Sequence, residues 1–329
     1  MQRVEVLRVF ATSKLWYKAS ALPLPTSFVK KFEAAMIRFI WIGKLEKLKI
    51  DEIKNPVMSG GLNLPCIVSK ADSLFLSQTG RLLRNPDSNQ YSHVKYWLGL
   101  YVKDLFPDMG AGPHAELMSP YFQHMRALLT SGVILGDVDV SKLQLVTAKN
   151  LYKGFTSTFP PPKVIFKFDV DWNQVWTRLQ NPVLDFMGKE ILFMNIHNII
   201  ANKDRIFRFN MIASPNCTTC GVVQDNVHIF CECLNVREAW FWIRQRLLGF
   251  LPLGGQISNF EFLNLMFVPC QFENEIVWLL GVYVEEVWSN VICKKKFLSQ
   301  DRIKTECAQN YITHQSSNRP PLSHIIGLI

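Results

Sequence analysis

Cys217-Thr218-Thr219-Cys220-Gly221-Val222-Val223-Gln224-Asp225-Asn226-Val227-His228-Ile229-Phe230-Cys231-Glu232-Cys233 holds half of the chain's eight cysteines. Two cysteines separated by two residues can form a turn that aims both sulfurs at one ion, and His228 with a cysteine shortly after it suits a short helical turn or loop. Spacing alone leaves Cys231 and Cys233 open as the fourth ligand. A set of thiolates and one imidazole fills the tetrahedron of Zn2+ and leaves no position for an activated water, so the expected ion is structural and not catalytic. Three thiolates around one divalent ion leave a net negative charge, which Lys203, Arg205, Arg208 and Arg237 would offset if they lie close in space. Zinc of this kind contributes on the order of 10 kcal/mol to a finger-like unit, so residues around 210–245 are expected to collapse on chelation. A chance group of buried thiols is the plain alternative.

Outward from this stretch, Trp240, Phe241 and Trp242 follow the last ligand and are expected to supply a small core around the ion. On the other side, Trp172, Val175, Trp176 and Leu179 have helical spacing, and Phe186 to Phe209 is a long apolar-periodic stretch. Pro160-Pro161-Pro162 fixes its backbone and offers no donor, so it reads as a spacer and a boundary. Residues 121–158 read as a helix, a Gly/Asp turn and a second short helix ending near Tyr152.

Near the N-terminus, Phe28, Phe32, Met36, Phe39 and Ile40 recur at helical spacing, with start signals at Pro25, Thr26 and Ser27 and a stop at Gly43. The opposite face carries Lys30, Lys31 and Arg38, and Lys44, Lys47, Lys49 and Lys54 follow with Trp41 among them. Charge and stacking surface thus lie together, as a nucleic-acid site requires, although a solvated helix face gives the same pattern. Residues 1–60 hold 11 basic and 5 acidic side chains, most of the formal charge of +9 that the whole chain carries. That balance favours polyanionic partners. After Pro56 and Gly60-Gly61, Ser69 to Leu83 reads as a second helix through Ala71, Leu74, Phe75, Gln78 and Leu82.

A hydrophobic content of 48% with 23 Phe and 9 Trp excludes wholesale disorder. Arg3, Glu5, Arg8 and Lys14 interrupt any apolar run of the kind a secretory leader needs, so the expectation is an intracellular chain, nuclear or cytoplasmic. The run Ile276 to Val284, bounded by Glu273, Glu275, Glu285 and Glu286, falls short of a membrane span, and no membrane is expected as a partner. Other chemistry is thin. His197 reads as a core histidine, Asp169 and Asp171 lack a third acid, and the chain contains neither a nucleophile elbow nor a phosphate-binding glycine loop.

Two groups of motifs resemble one family. Ser13-Lys14-Leu15-Trp16-Tyr17, Leu22-Pro23-Leu24-Pro25, Arg38-Phe39-Ile40-Trp41-Ile42-Gly43-Lys44 and Gly60-Gly61-Leu62-Asn63-Leu64-Pro65 resemble the segment after the polymerase palm in LINE-type (non-LTR) retrotransposon reverse transcriptases. There it belongs to the thumb and its C-terminal extension, which grip template and primer. The second group is similar to the zinc-binding domain of the same elements: His197 on a helix, Asp204-Arg205 in a turn, then Cys217, Cys220-Gly221, His228, Cys233 and Trp240. This resemblance implies Cys233, not Cys231, as the fourth ligand. Asp225-Asn226-Val227 departs from the Glu-Thr that the family usually has before the histidine, and spares every ligand. The two groups cover about 120 of the 329 residues.

The family's polymerases hold two metal ions on palm aspartates that include an adjacent Asp-Asp pair, and this sequence contains no such pair. The resulting expectation is a mostly α chain with a thumb-like basic segment (1–84), a helical connector (85–159), a zinc-binding domain (160–248) and a C-terminal helical segment with a loose tail (249–329). It would be a truncated element copy, not itself an enzyme, binding element RNA and target DNA through Lys30, Lys31, Arg38, Trp41, Lys44, Lys47 and Lys49 and through the knuckle. Two rivals are part of an active RNA-directed DNA polymerase whose palm is encoded upstream, and a structural protein whose residues 250–329 dock a partner.

Overall fold

A computed structural model describes residues 2–42, 48–101, 106–109, 115–130, 145–157, 159–252, 256–317, 319–322 and 325. Among the described residues fifteen α-helices account for the architecture, and the sole β-type pairing is one isolated antiparallel bridge, Asn216 to Val223. The chain is mostly α. It divides into two units, Met1–Pro162 and Lys163–Ile329.

In the first unit, α1 (Gln2–Val6) runs through a π-helical turn, Leu7–Ala11, into α2 (Thr12–Ala19). Pro25, whose fixed φ suits a helix entry, precedes α3 (Thr26–Ile40), which buries Val29, Met36 and Ile40 as one stripe. The observed stripe is rotated from the one read in the sequence: Phe28 and Phe39 are exposed. Phe28 stacks on Phe32 at 5.7 Å, while Arg3 lies over the Phe39 ring and donates to the Phe39 carbonyl at 2.8 Å. Apolar periodicity counted five candidates, but a narrow interface buries only those on its own azimuth. The helix ends at Trp41, and Ile42 adopts φ 56°, so the chain turns before the expected stop at Gly43, which lies outside the described residues.

α4 (Ile50–Lys54) leads into the Gly60-Gly61-Leu62-Asn63-Leu64-Pro65 turn. The amides of Leu62 and Asn63 donate to the carbonyls of Ile53 and Asn55. Gly60 is demanded by its left-handed φ of 80°, and Gly61 by a close approach, since a Cβ there would stand 2.0 Å from the Asn55 carbonyl oxygen. The turn sets Leu64 fully inside and starts α5 (Ile67–Leu82), whose buried face includes Ala71, Phe75, Leu76 and Thr79. Further helices follow: α6 (Asn89–Leu98), capped by the Ser88 hydroxyl, α7 (Pro120–Thr130) and α8 (Ala148–Ser157). Phe75, Leu76 and Leu83 share one core with Val94, Leu98, Met125, Leu129 and Leu151, so residues on both sides of position 84 pack as one body. The Gly/Asp turn expected between α7 and α8 lies outside the described residues.

The second unit opens with α9 (Trp172–Leu179), capped by the Asp171 carboxylate on the amides of Asn173 and Gln174. Asp171 therefore has a helix-capping role. The stretch expected to run from Phe186 to Phe209 is two helices, α10 (Phe186–Ile196) and α11 (Lys203–Arg208). They are separated because Asn198 turns left-handed at φ 52° and Asn202 caps the second helix by accepting from Arg205 N–H. α12 (Arg237–Phe250), α13 (Asn259–Leu263), α14 (Glu273–Glu286) and α15 (Gln300–Gln315) complete the unit.

α14 is its axis. Every residue from Glu275 to Val284 is buried, against α9, α10, α12 and α15. A Cβ on Gly281 would meet Leu184 at 2.4 Å, which is why a glycine sits where these segments cross. With the following π-helical turn the helix continues to Cys293, longer than the Ile276–Val284 run suggested. By length and composition alone, the segment Glu273–Cys293 is long and apolar enough to cross a membrane, but 67% of its apolar window is buried inside the protein. Arg178 ties α9 to the loop before α14. It is 3% exposed, donates to the carbonyls of Leu265 (2.9 Å) and Phe267 (2.7 Å), pairs with Glu273 at 2.7 Å and lies over the Phe267 ring.

Candidate metal centre

Two backbone turns build the site. In the first, Asn216 and Val223 form the isolated bridge, Cys217 N–H donates to the Val222 carbonyl at 2.7 Å, and Gly221 N–H returns to the Cys217 carbonyl at 2.9 Å. Gly221 has φ 74°, a conformation that a side chain at this tight reversal would oppose. Amides inside the turn point at sulfur: those of Thr219 and Cys220 donate to Cys217. The second turn is the π-helical segment His228–Glu232, entered where the Asp225 carboxylate accepts from His228 N–H at 2.7 Å and closed by Cys233 N–H on the His228 carbonyl at 2.8 Å. Its i→i+5 closure is what puts His228 and Cys233 on the same side of the chain. Beyond it Asn235 N–H donates to the Cys233 sulfur, and Leu234 N–H donates to the Cys220 sulfur at 3.3 Å.

These turns bring Cys217, Cys220, His228 and Cys233 together, with their ligand atoms all within 4.8 Å of one another. The Cys217–Cys233 and Cys220–Cys233 sulfur distances are 3.9 and 3.7 Å, and all the cysteines are free thiols. The group could hold a metal ion. Two further observations fit a cation. His228 is 2% exposed, and its Nε2 is buried with no hydrogen-bond partner among the described residues. The thiols also titrate far apart. Burial raises Cys217, but the amides of Thr219 and Cys220, with His228 and Cys233, outweigh it and bring the group down to about 6. Burial, with the neighbouring Cys220 and Cys217, pushes Cys233 up to about 12. Sulfurs this close do not all ionise without a positive charge between them, whereas the amide N–H donors are placed to support thiolates.

Cys231 stands outside the group. It is buried within the π-turn, and burial holds its thiol well above the ordinary range. The turn is anchored there by the fully buried Tyr283 of α14, whose hydroxyl donates to the Phe230 carbonyl and whose ring packs against Trp240 at 5.2 Å. The aromatic run after the last ligand therefore divides. Trp240, donating to Asn259 at 3.0 Å, and Trp242 are 4% exposed, while Phe241 is 61% exposed and contributes no core, because three successive helical residues cannot all face inward.

The four cations suggested for charge compensation are also redistributed. Lys203 donates to the Asn216 carbonyl beside Cys217 at 3.0 Å. Arg205 instead bonds the Asn198 carbonyl, Arg208 pairs with Asp204, and Arg237 is exposed at the start of α12. His197 is not in the group; its ring stacks on Trp176 at 5.6 Å.

In the first unit Lys30, Lys31 and Arg38 are exposed on α3, Lys49 is exposed before α4, and Trp41 is half-buried at the helix end. Lys44 and Lys47 lie outside the described residues. Lys54 is engaged instead, pairing with Glu33 at 2.9 Å. A scan against protein-family models and a search of curated proteins both find no match for this chain.

Proposed function

We propose that the chain is the C-terminal part of a LINE-type reverse transcriptase and serves as a nucleic-acid-binding element, with a structural zinc knuckle and without polymerising carboxylates of its own. The observation that carries the reading is the closed Cys217–Cys220–His228–Cys233 set. A tetrahedron with Zn–S bonds of about 2.3 Å has sulfur–sulfur edges of about 3.8 Å, close to the observed 3.7 and 3.9 Å. Four protein ligands leave no open coordination position, so zinc here supplies a crosslink and no activated water. Around it, the turn amides and His228 set the ligands, and Tyr283 fixes the turn that carries two of them.

Binding is assigned to the exposed cations Lys30, Lys31, Arg38 and Lys49, joined in sequence by Lys44 and Lys47, with Trp41 beside them. Such contacts read phosphate and not sequence, and they release counterions. The affinity of the zinc-loaded chain for single-stranded RNA should fall steeply with salt. Replacing Lys30, Lys31 and Arg38 together by Ala should reduce the log–log slope by about 2, at roughly 0.7 per lost contact. A salt-independent affinity would overturn the reading. Primer extension by the purified chain should yield no product, and incorporation of nucleotide would show an active centre that this reading denies.

A further inference from the structure

The π-helical turn after α14 ends at Cys293 and leads straight into Lys294-Lys295-Lys296-Phe297, four exposed residues whose phenylalanine is 49% exposed. Between residues 290 and 305 the sequence carries Lys294, Lys295, Lys296, Arg302 and Lys304 against one acid, Asp301. Two of these five cations are engaged: Arg302 pairs with Glu286 and Glu306, and Lys304 with Asp301. The three successive lysines make no ion pair and no side-chain hydrogen bond among the described residues. Glu286 lies within electrostatic reach of Lys294, but it already accepts from Asn290 at 2.6 Å as well as from Arg302. Most of the loop's charge is left for an anion from outside.

Backbone contacts fix where that charge stands. Lys295 turns left-handed at φ 56°, at a place where helices ordinarily end on glycine. Lys296 N–H donates to the Asn290 carbonyl at 2.9 Å, and Leu298 N–H donates to the Asn235 carbonyl at 2.9 Å, with the Leu298 side chain fully buried. The loop is thus pinned at both ends. Asn235 is part of the knuckle: its N–H donates to the Cys233 sulfur, and its side chain donates to the Thr219 hydroxyl at 3.3 Å. One residue therefore joins the lysine loop to both turns that carry the sulfurs.

Two local roles ask for less than this. A helix C-terminus attracts a cation in its last turn, and a three-thiolate centre attracts compensating charge. Neither calls for an exposed ring beside three lysines. An anionic bilayer needs an apolar face wide enough to insert beside the cations, and this loop offers one ring. A single strand needs cations for its phosphates and an aromatic face for a base, which the loop supplies on consecutive residues.

We propose that Lys294, Lys295 and Lys296 hold the phosphates of a single-stranded nucleic acid alongside the knuckle, with Phe297 stacking on one base. The assignment rests on the nucleic-acid-binding reading and extends it to a second contact surface, in the second unit.

The test follows binding of the zinc-loaded full chain to a labelled oligouridylate by fluorescence anisotropy over a series of salt concentrations. Replacing the three lysines together by Gln should reduce the log–log slope by about 2, at roughly 0.7 per lost contact, and replacing them by Arg should restore it. Phe297→Ala, at an exposed position, should weaken binding on the order of tenfold, the usual worth of one aromatic–base stack, at an unchanged slope. Zinc content and thermal midpoint should stay at wild-type values in all three variants. A fall in either for the Gln variant with the slope retained would make the lysines compensating charges or helix caps, and it would overturn the assignment. A wild-type slope in the Gln variant overturns it too, while the first-unit reading stands if replacing Lys30, Lys31 and Arg38 by Ala lowers the slope. If wild-type affinity is independent of salt, both readings fall. Unchanged affinity in Phe297→Ala removes a single strand as the occupant. Preference for phosphatidylserine vesicles over oligouridylate, lost in the Gln variant, would assign the loop to a lipid surface and overturn the proposal.

Discussion

The two units reach order by different means. Met1–Pro162 depends on apolar packing and on close backbone turns such as the one at Gly60-Gly61, with Lys30, Lys31, Arg38 and Lys49 exposed. Lys163–Ile329 has a buried helix, α14, at its centre and also a place where three sulfurs and an imidazole converge. The contrast is between spread and convergence. Packing energy is shared over many side chains, so no single surface residue matters greatly to it. A metal site places a large share of a unit's stability in four atoms.

The sharpest way to break that contrast is to remove the proposed zinc from the zinc-loaded chain. Chelation, or Cys220→Ser, should cost the second unit on the order of 10 kcal/mol and abolish zinc binding. Hydrogen exchange should then show lost protection from about 210 to 245 and retained protection in α5. Loss in both units together would refute the separation. Cys231→Ser, by contrast, should keep one zinc per chain.

A second, smaller effect asks whether the metal is the only anchor of its unit. Arg178→Ala strands two buried carbonyls and leaves Glu273, itself a third exposed, without its partner, and it should cost about 2–3 kcal/mol, because buried acceptors left unmade cost about 1–3 kcal/mol. Zinc stoichiometry should not change. A denaturation midpoint equal to wild type would show that α9 contributes little to the unit.

The counterpart in the first unit is Gly61→Ala, whose Cβ has to displace the Asn55 backbone. A penalty of about 1–3 kcal/mol is expected, with protection lost around α4 and α5 and the metal site intact. An unchanged exchange pattern would mean that the turn is not packed as described.

The smallest effect is one of pH. Burial raises Glu285 to about 7, while the Gly188 amide, which it accepts at 2.7 Å, favours its charged form; Asp185 and Glu286 repel that charge and Arg319 attracts it. Because the folded group holds its proton above the ordinary carboxylate range, the folded chain binds more protons than the unfolded one between about 4.5 and about 7. Stability from this group therefore declines as pH rises through that window and levels off above it. Glu285→Gln keeps an acceptor for Gly188 and should flatten the decline in denaturant titrations at successive pH values. A slope equal to wild type would remove Glu285 as its source.

Several features were legible in the sequence because they depend on local spacing. Helical periodicity and proline and glycine punctuation placed α3, α5 and α9 to within a few residues, and Cys-x-x-Cys with a downstream His and Cys marked the group that could hold a metal ion. Others were not legible. The exposed Phe28, Phe39 and Phe241 have the same composition as core residues, and only the neighbours that pack on each helix decide which azimuth is covered. The break at Asn198 depends on an asparagine in a left-handed conformation, which sequence permits without requiring. A pocket around Asn195 draws its walls from residues more than sixty positions apart, so no window of sequence contains it.

What the sequence determined by itself was a mostly helical chain with a compact Cys/His set that could hold a metal ion, since both follow from contacts a few residues long. Tertiary structure decided which cysteine joins the candidate set: Cys233 lies with Cys217, Cys220 and His228, while Cys231 is buried outside that group. It also decided that Asn195 keeps a buried oxygen with no hydrogen-bond partner among the described residues. Both outcomes depend on α13 and α14 packing against segments far away in the chain, and a linear spacing carries no information about such a meeting.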